Sequence, residues 1–134
     1  MSGSEHFLAT ARQVVTDEAR ALDALAAGFD ERFADAVRLI LKAEGRVIVS
    51  GIGKSGHIGR KIAATLASTG TPAHFVHPAE ASHGDLGMLS KGDVVLAISN
   101  SGEAPELANL LVFTRRFDIP LIGLSSRPES TLLT

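Results

Sequence analysis

Four short apolar runs limit what this chain can fold into more than any other feature of its sequence. They are residues 46–50 (RVIVS), 73–76 (AHFV), 93–98 (DVVLAI) and 120–124 (PLIGL). Runs this short and this continuously apolar read as strands covered on both faces. Between them the spacing changes to that of helices. Ile58, Ile62 and Leu66 predict a helix over 54–68, ended by Gly70-Thr71-Pro72. Leu107, Leu110 and Leu111 predict another, with Pro105 in its first turn after a turn at 100–103. Ahead of the first run, Leu8, Ala11, Val15, Leu22 and Leu25, then Phe29, Phe33, Val37, Ile40 and Leu41, mark two helices jointed near Gly28, with Asp30 as a helix-start residue. Residues 77–91 read as irregular, and 125–134 as the opening of a further unit that stops early. Helices alternating with buried strands give an α/β fold: a three-layer, doubly wound parallel sheet preceded by two helices.

A chain of 134 residues holds one ordinary domain, and 45% hydrophobic with 21% charged residues suffices to fill a core. Thirteen basic against 15 acidic side chains, net −2, argue against a polycationic nucleic-acid binder. With no Trp, no Tyr and six Phe, a base-stacking platform is not expected either. The absence of Cys removes disulfides, thiolate metal sites and Cys nucleophiles, and fits a reducing compartment. No apolar run approaches a membrane span of about 20 residues, and Glu5 and His6 stand where a secretory signal would be basic. The expectation is a cytosolic protein that handles a small molecule, without nucleic-acid or membrane partners.

Ligands of such sheets bind beyond the carboxyl ends of the strands, so the motifs are judged there. Gly51-Ile-Gly53-Lys54-Ser55-Gly56 follows a strand and opens a helix, as in G-x-G-x-x-G. A dinucleotide site also wants an acid at the end of the second strand. That strand ends at His77, and the nearest acid, Glu80, lies past Pro78. A P-loop fails too, because Ile48 occupies the required glycine position. The plainer reading is a tight turn without ligand; against it, Lys54 and Ser55 put a cation and a hydroxyl at its mouth.

The second motif is Ser99-Asn100-Ser101-Gly102-Glu103. Two hydroxyls, a glycine and the open amides of a helix start make a phosphate cradle, although Ser101 as a simple helix cap also fits. His74, His77 and His83 with Glu80 and Asp85 resemble a metal set, but no regular element fixes their spacing. His83 lies in a loop near the cleft, where imidazole can move protons. Glu106 falls in the first turn after the cradle, either as a favourable acid at a helix start or as a general base.

These segments resemble the sugar isomerase (SIS) domain family. Residues 51–61 are similar to its first signature and 99–103 to its phosphate-binding signature, while 67–72 and 75–87 resemble the D-arabinose 5-phosphate isomerase branch. The similarity runs from about residue 5 to the end. It implies a SIS domain over 1–134 with strands in flavodoxin-like order, and an enzyme interconverting D-ribulose 5-phosphate and D-arabinose 5-phosphate for synthesis of the acidic sugar Kdo. It further implies no organic cofactor, zinc as an inhibitor, and a homotetramer with active sites at subunit contacts. By motif match, Lys54, His83 and Glu106 are implicated in catalysis. Gly70, Thr71 and His83 match substrate contacts, and His77 matches a metal contact.

The residues agree with that chemistry. Ser55, Ser99, Asn100, Ser101 and Gly102 would hold the phosphate, and Lys54 would stabilise charge developing on the sugar oxygens. Glu106 or His83 would take the carbon-bound proton, with Glu106 preferred. Two departures stand out. Ala104 occupies a place where the family carries a hydroxyl residue. The chain also stops after four strands, where the family continues with a fifth strand, a long helix and a pair of CBS domains, so a C-terminally truncated piece is expected. The rival from another class is a non-catalytic SIS module that binds sugar phosphates in regulation. It has no need for Lys54, His83 and Glu106 together.

Overall fold

In the computed structural model, which describes residues 2–81 and 85–134, each apolar run is a strand. β1 is Val47–Gly51, β2 Ala73–Phe75, β3 Val94–Ile98 and β4 Leu121–Leu124. The helices are α1 Gly3–Gly28, α2 Glu31–Lys42, α3 Lys54–Ser68, a short α4 Pro78–Ala81 and α5 Ala108–Arg116. A 3-10 turn at Pro105–Leu107 leads directly into α5, and another covers Asp85–Met88. The chain divides into two compact units, residues 1–35 and 36–134.

All strands of the second unit are parallel, in the order β2-β1-β3-β4. The expected doubly wound α/β architecture and its flavodoxin-like order are therefore present. Alternate side chains divide the core. Ile48, Val95 and Ala97 join Leu107, Leu110 and Leu111 in one layer. Val47, Val49 and Ile98 join Ala63, with Ile40, Ile62 and Leu66 packed against them, in the other. Apolar residues at consecutive strand positions thus serve both faces, which is why these runs do not alternate with polar residues.

β1, β3 and β4 each begin one residue later than the sequence pattern suggests, while β2 starts at Ala73 as expected; at β1 and β3 the reason is identifiable. Asp93 is 1% exposed and its carboxylate accepts from the Arg46 N–H at 2.8 Å and the Ser90 N–H at 2.9 Å. The Arg46 amide is therefore spent on a side chain instead of the ladder. Where irregular chain was expected, residues 78–81 and 85–88 form short helical turns. Pro78 starts α4, where a missing N–H costs nothing, and His77 Nδ1 accepts the Ala79 N–H at 3.1 Å. The final segment, 125–134, is a turn that folds back on residues 100–103 through Ser126 N–H to Asn100 O and Leu132 N–H to Gly102 O.

The first unit is built on α1. Ser2 and Glu5 form a capping box, with Ser2 N–H donating to Glu5 at 2.6 Å and Glu5 N–H to Ser2 Oγ at 3.2 Å. Asp30 starts the next helix as expected, accepting the Arg32 N–H at 3.0 Å. The α1 stripe is amphipathic, and its Phe7, Leu8, Val15, Leu22 and Leu25 are all exposed. Among the described residues no helix is long and apolar enough to cross a membrane.

Candidate functional site

Gly51 of β1 pairs with Ile98 of β3, so the segments that follow, 52–56 and 99–106, leave the sheet side by side. The order β2-β1-β3-β4 places the topological switch between β1 and β3, which is where open parallel sheets hold ligands. The two motifs of the sequence meet there.

The first motif is shaped by close approach. Gly53 caps α3 at φ +62°, a left-handed conformation that favours glycine, and supplies no side-chain cap. A methyl group at Gly56 would lie 2.7 Å from the Gly51 carbonyl oxygen, so only glycine lets the helix come this near the strand end. The amides of Lys54 and Ser55 have no acceptor among the described residues. The helix therefore presents open N–H donors and the positive end of its dipole at this edge. Lys54 is exposed and Ser55 half-buried.

The second motif is a braced loop. Ser99 is buried, and its Oγ accepts the Gly102 N–H at 3.0 Å. Ser101 Oγ accepts the Glu103 N–H at 3.1 Å, a local turn contact two residues on. The helical run itself starts at Ala104 without any side-chain cap, so the plainer reading of Ser101 as a helix cap does not describe this loop. Ala104 has no side chain that could cap that end. Asn100 is exposed, and its carbonyl accepts from Ser125 Oγ at 3.1 Å and Ser126 Oγ at 2.7 Å. Glu106 is exposed in the first turn of the run.

Not every predicted residue joins this cluster. Gly70 and Thr71 end α3 and lead into the amino end of β2, the opposite edge of the sheet within one chain. Thr71 N–H closes the helix on the Leu66 carbonyl at 2.9 Å, with Gly70 at φ +100°. His77 follows β2 at the carboxyl edge, but one ring nitrogen caps α4. Among the described residues no three His, Asp or Glu side chains converge as a metal site. His83 lies outside the described residues.

The two motifs leave out the C-terminal turn, which the structure brings to the site. Glu103 accepts from Thr131 twice, from its N–H at 2.7 Å and its hydroxyl at 2.6 Å. The Thr131 hydroxyl and then its amide hold the Glu103 carboxyl below the usual glutamate range. Ser125, Ser126, Ser130 and Thr131 crowd behind a strand carboxyl end, and this cluster of hydroxyls was the available signal in the sequence.

The profile of the SIS domain matches residues 39–134, most of the chain and nearly all of the second unit. This chain belongs to the SIS-domain family. The arabinose 5-phosphate isomerase KdsD of Pseudomonas aeruginosa is 53% identical over 132 residues, covering 98% of this chain and 40% of the relative. KdsD of Escherichia coli K12 is 48% identical over 126 residues, 94% of this chain and 38% of that protein. The chain thus spans about two-fifths of the length of these curated relatives. Among solved structures, c3406 of E. coli CFT073, in complex with arabinose 5-phosphate, superposes with a TM-score of 0.91 at 38% identity over 99% of this chain and 70% of that one. A sugar-phosphate isomerase structure from Listeria monocytogenes reaches 0.92 at 30% identity, again over 99% and 70%. The SIS fold of this chain and its kinship with arabinose 5-phosphate isomerases are therefore shown from both directions.

Proposed function

We propose that this SIS domain is the sugar-phosphate-binding and isomerising part of a D-arabinose 5-phosphate isomerase. The observation that carries the reading is 53% identity to such an isomerase along 98% of the chain. The two motifs at the β1/β3 switch support it, because a phosphate handle needs donors there and an isomerase needs a base and a cation beside it.

In the proposed reaction the phosphate of D-ribulose 5-phosphate rests on Ser55 and the loop from Ser99 to Gly102. A carboxylate, Glu106, takes a proton from C1 while the C2 carbonyl oxygen gains one, giving the 1,2-enediol. Return of a proton to C2 and loss of the O1 hydroxyl proton yields the aldehyde of D-arabinose 5-phosphate. Lys54 offsets the negative charge that builds on O1 and O2. His83 moves the hydroxyl protons or opens the sugar ring. This acid–base route uses side chains only and calls on no organic cofactor. Zinc at His77 is proposed as an inhibitor. Gly70 and Thr71, at the other edge of their own chain, fit a substrate contact made across a subunit boundary, in keeping with a homotetramer. A cysteine-free chain acting on a phosphorylated sugar fits work in the cytoplasm, with the product feeding Kdo synthesis.

The test is proton NMR of D-ribulose 5-phosphate in D2O, with this chain and with the full-length product of its gene. Deuterium at C2 of newly formed arabinose 5-phosphate is the expected result. Binding without exchange by the full-length protein would replace the isomerase with a sugar-phosphate-sensing module.

A further inference from the structure

The turn over 125–134 belongs to neither sequence motif, yet it forms a wall of the 99–103 loop. Its hold is extensive: Ser125 Oγ and Ser126 Oγ donate to the Asn100 carbonyl, Leu132 N–H to the Gly102 carbonyl, and Thr131 twice to Glu103. In the middle of these contacts stands Ser130, only 2% exposed. Its Oγ has no hydrogen-bond partner among the described residues. It faces Gly102 closely enough that a methyl group there would overlap it. The other two hydroxyls around Gly102 are engaged, Ser99 Oγ by the Gly102 amide and Ser125 Oγ by the Asn100 carbonyl.

A buried hydroxyl with nothing to bond lowers stability and is rare in native proteins, so its position calls for a functional explanation. Here the group adjoins the 99–103 loop, whose following helical run starts at Ala104 without a side-chain cap. We infer that Ser130 is a ligand-binding residue, donating its hydroxyl to the phosphoryl group of the sugar phosphate held by the 99–103 loop. The inference rests on the sugar-phosphate reading of that loop. It adds a contact from a segment outside both signatures, and it explains the position of Gly102: a side chain there would displace the hydroxyl.

The experiment is calorimetric titration of D-arabinose 5-phosphate and of inorganic phosphate into the wild-type chain, Ser130→Ala and Ser130→Cys, with a thermal melt of each protein without ligand. A hydrogen bond to a charged oxygen corresponds to about tenfold in affinity or more, so both variants should bind arabinose 5-phosphate about tenfold more weakly. Their unliganded melting points should equal or exceed that of the wild type, because an unpartnered buried hydroxyl has been removed. Cysteine keeps nearly the size of serine with a much weaker donor, which separates the lost bond from a lost fit. Unchanged affinity in either folded variant overturns the inference. So does a lowered unliganded melting point with unchanged affinity, which would make Ser130 structural. If the wild type binds phosphate but not arabinose 5-phosphate, the sugar-phosphate reading falls, and Ser130 stands only if the variants lose phosphate affinity. If it binds neither, both readings fall.

Discussion

Replacing Gly102 by alanine puts a methyl group where there is no room and asks an L-residue to hold φ at +69°. The new Cβ would overlap Ser130 Oγ and Cβ and come to 3.0 Å from Ser125 Oγ. Left-handed backbone costs a non-glycine residue roughly 1 kcal/mol, and forcing an extra carbon into a packed site costs about 1–3 kcal/mol. Together these predict a loss of about 2–4 kcal/mol, a large share of the roughly 5–15 kcal/mol that holds an ordinary domain. Urea unfolding followed by circular dichroism is the assay. With a mid-range slope of about 2 kcal/mol per molar urea, the midpoint should fall by roughly 1–2 M. The double variant Gly102→Ala with Ser130→Gly clears both overlapping atoms. It should recover the packing share and leave only the backbone share, about 1 kcal/mol. Hydrogen exchange at the Leu132 amide, bonded to the Gly102 carbonyl, should quicken in the single variant. A single variant within about 0.5 kcal/mol of the wild type, the usual bound for a harmless substitution, would refute the reasoning. A double variant no more stable than the single one would refute the steric half of it.

Three further outcomes follow from the same structure. In the full-length protein, Lys54→Ala and Glu106→Gln should each lower turnover of D-ribulose 5-phosphate by about 10²-fold or more while changing its binding far less; equal losses in rate and affinity would mark a binding module. Asp93→Ala takes the buried carboxylate away from the part-buried hydrogen bonds of the Arg46 and Ser90 amides, so the melting transition should show a loss of about 1–3 kcal/mol; a change under about 0.5 kcal/mol would mean that water replaces the carboxylate. The Glu103 carboxyl is held below its usual range by Thr131, so its contribution is full above the glutamate range and is lost as pH falls through the lowered value. Protection of the Thr131 amide from exchange, corrected for intrinsic rate, should drop in that acid window for the wild type and show no such step in Glu103→Gln.

Much of this architecture is legible without coordinates, because strand and helix here are fixed by local pattern. The runs at 46–50 and 93–98 admit few alternatives once both faces must be apolar, and α3 coincides with its predicted span, 54–68. Placement of the two motifs at carboxyl ends follows from strand direction alone. The misses have a common cause. Arg46 leaves the ladder because a carboxylate 47 residues away takes its amide, and α4 forms because His77 caps a turn begun by Pro78. Helical spacing likewise predicts the α1 stripe but not whether anything covers it.

Local pattern suffices for the strands, the long helices, the glycines that let α3 approach β1, and the residue types at the switch point. Period and composition act over a few neighbours, and one strand determines little more than its own faces. The strand order was expected only through family resemblance; that Gly70 and Thr71 stand at the far edge, and that residues 125–134 fold back over the 99–103 loop, became visible in the packed chain alone. Those outcomes depend on which distant groups satisfy one another: Glu103 with Thr131, Asn100 with Ser125 and Ser126, and Gly102 with the space beside Ser130. Hydrogen-bond satisfaction and excluded volume across such separations are properties of the packed chain, and no local pattern encodes them.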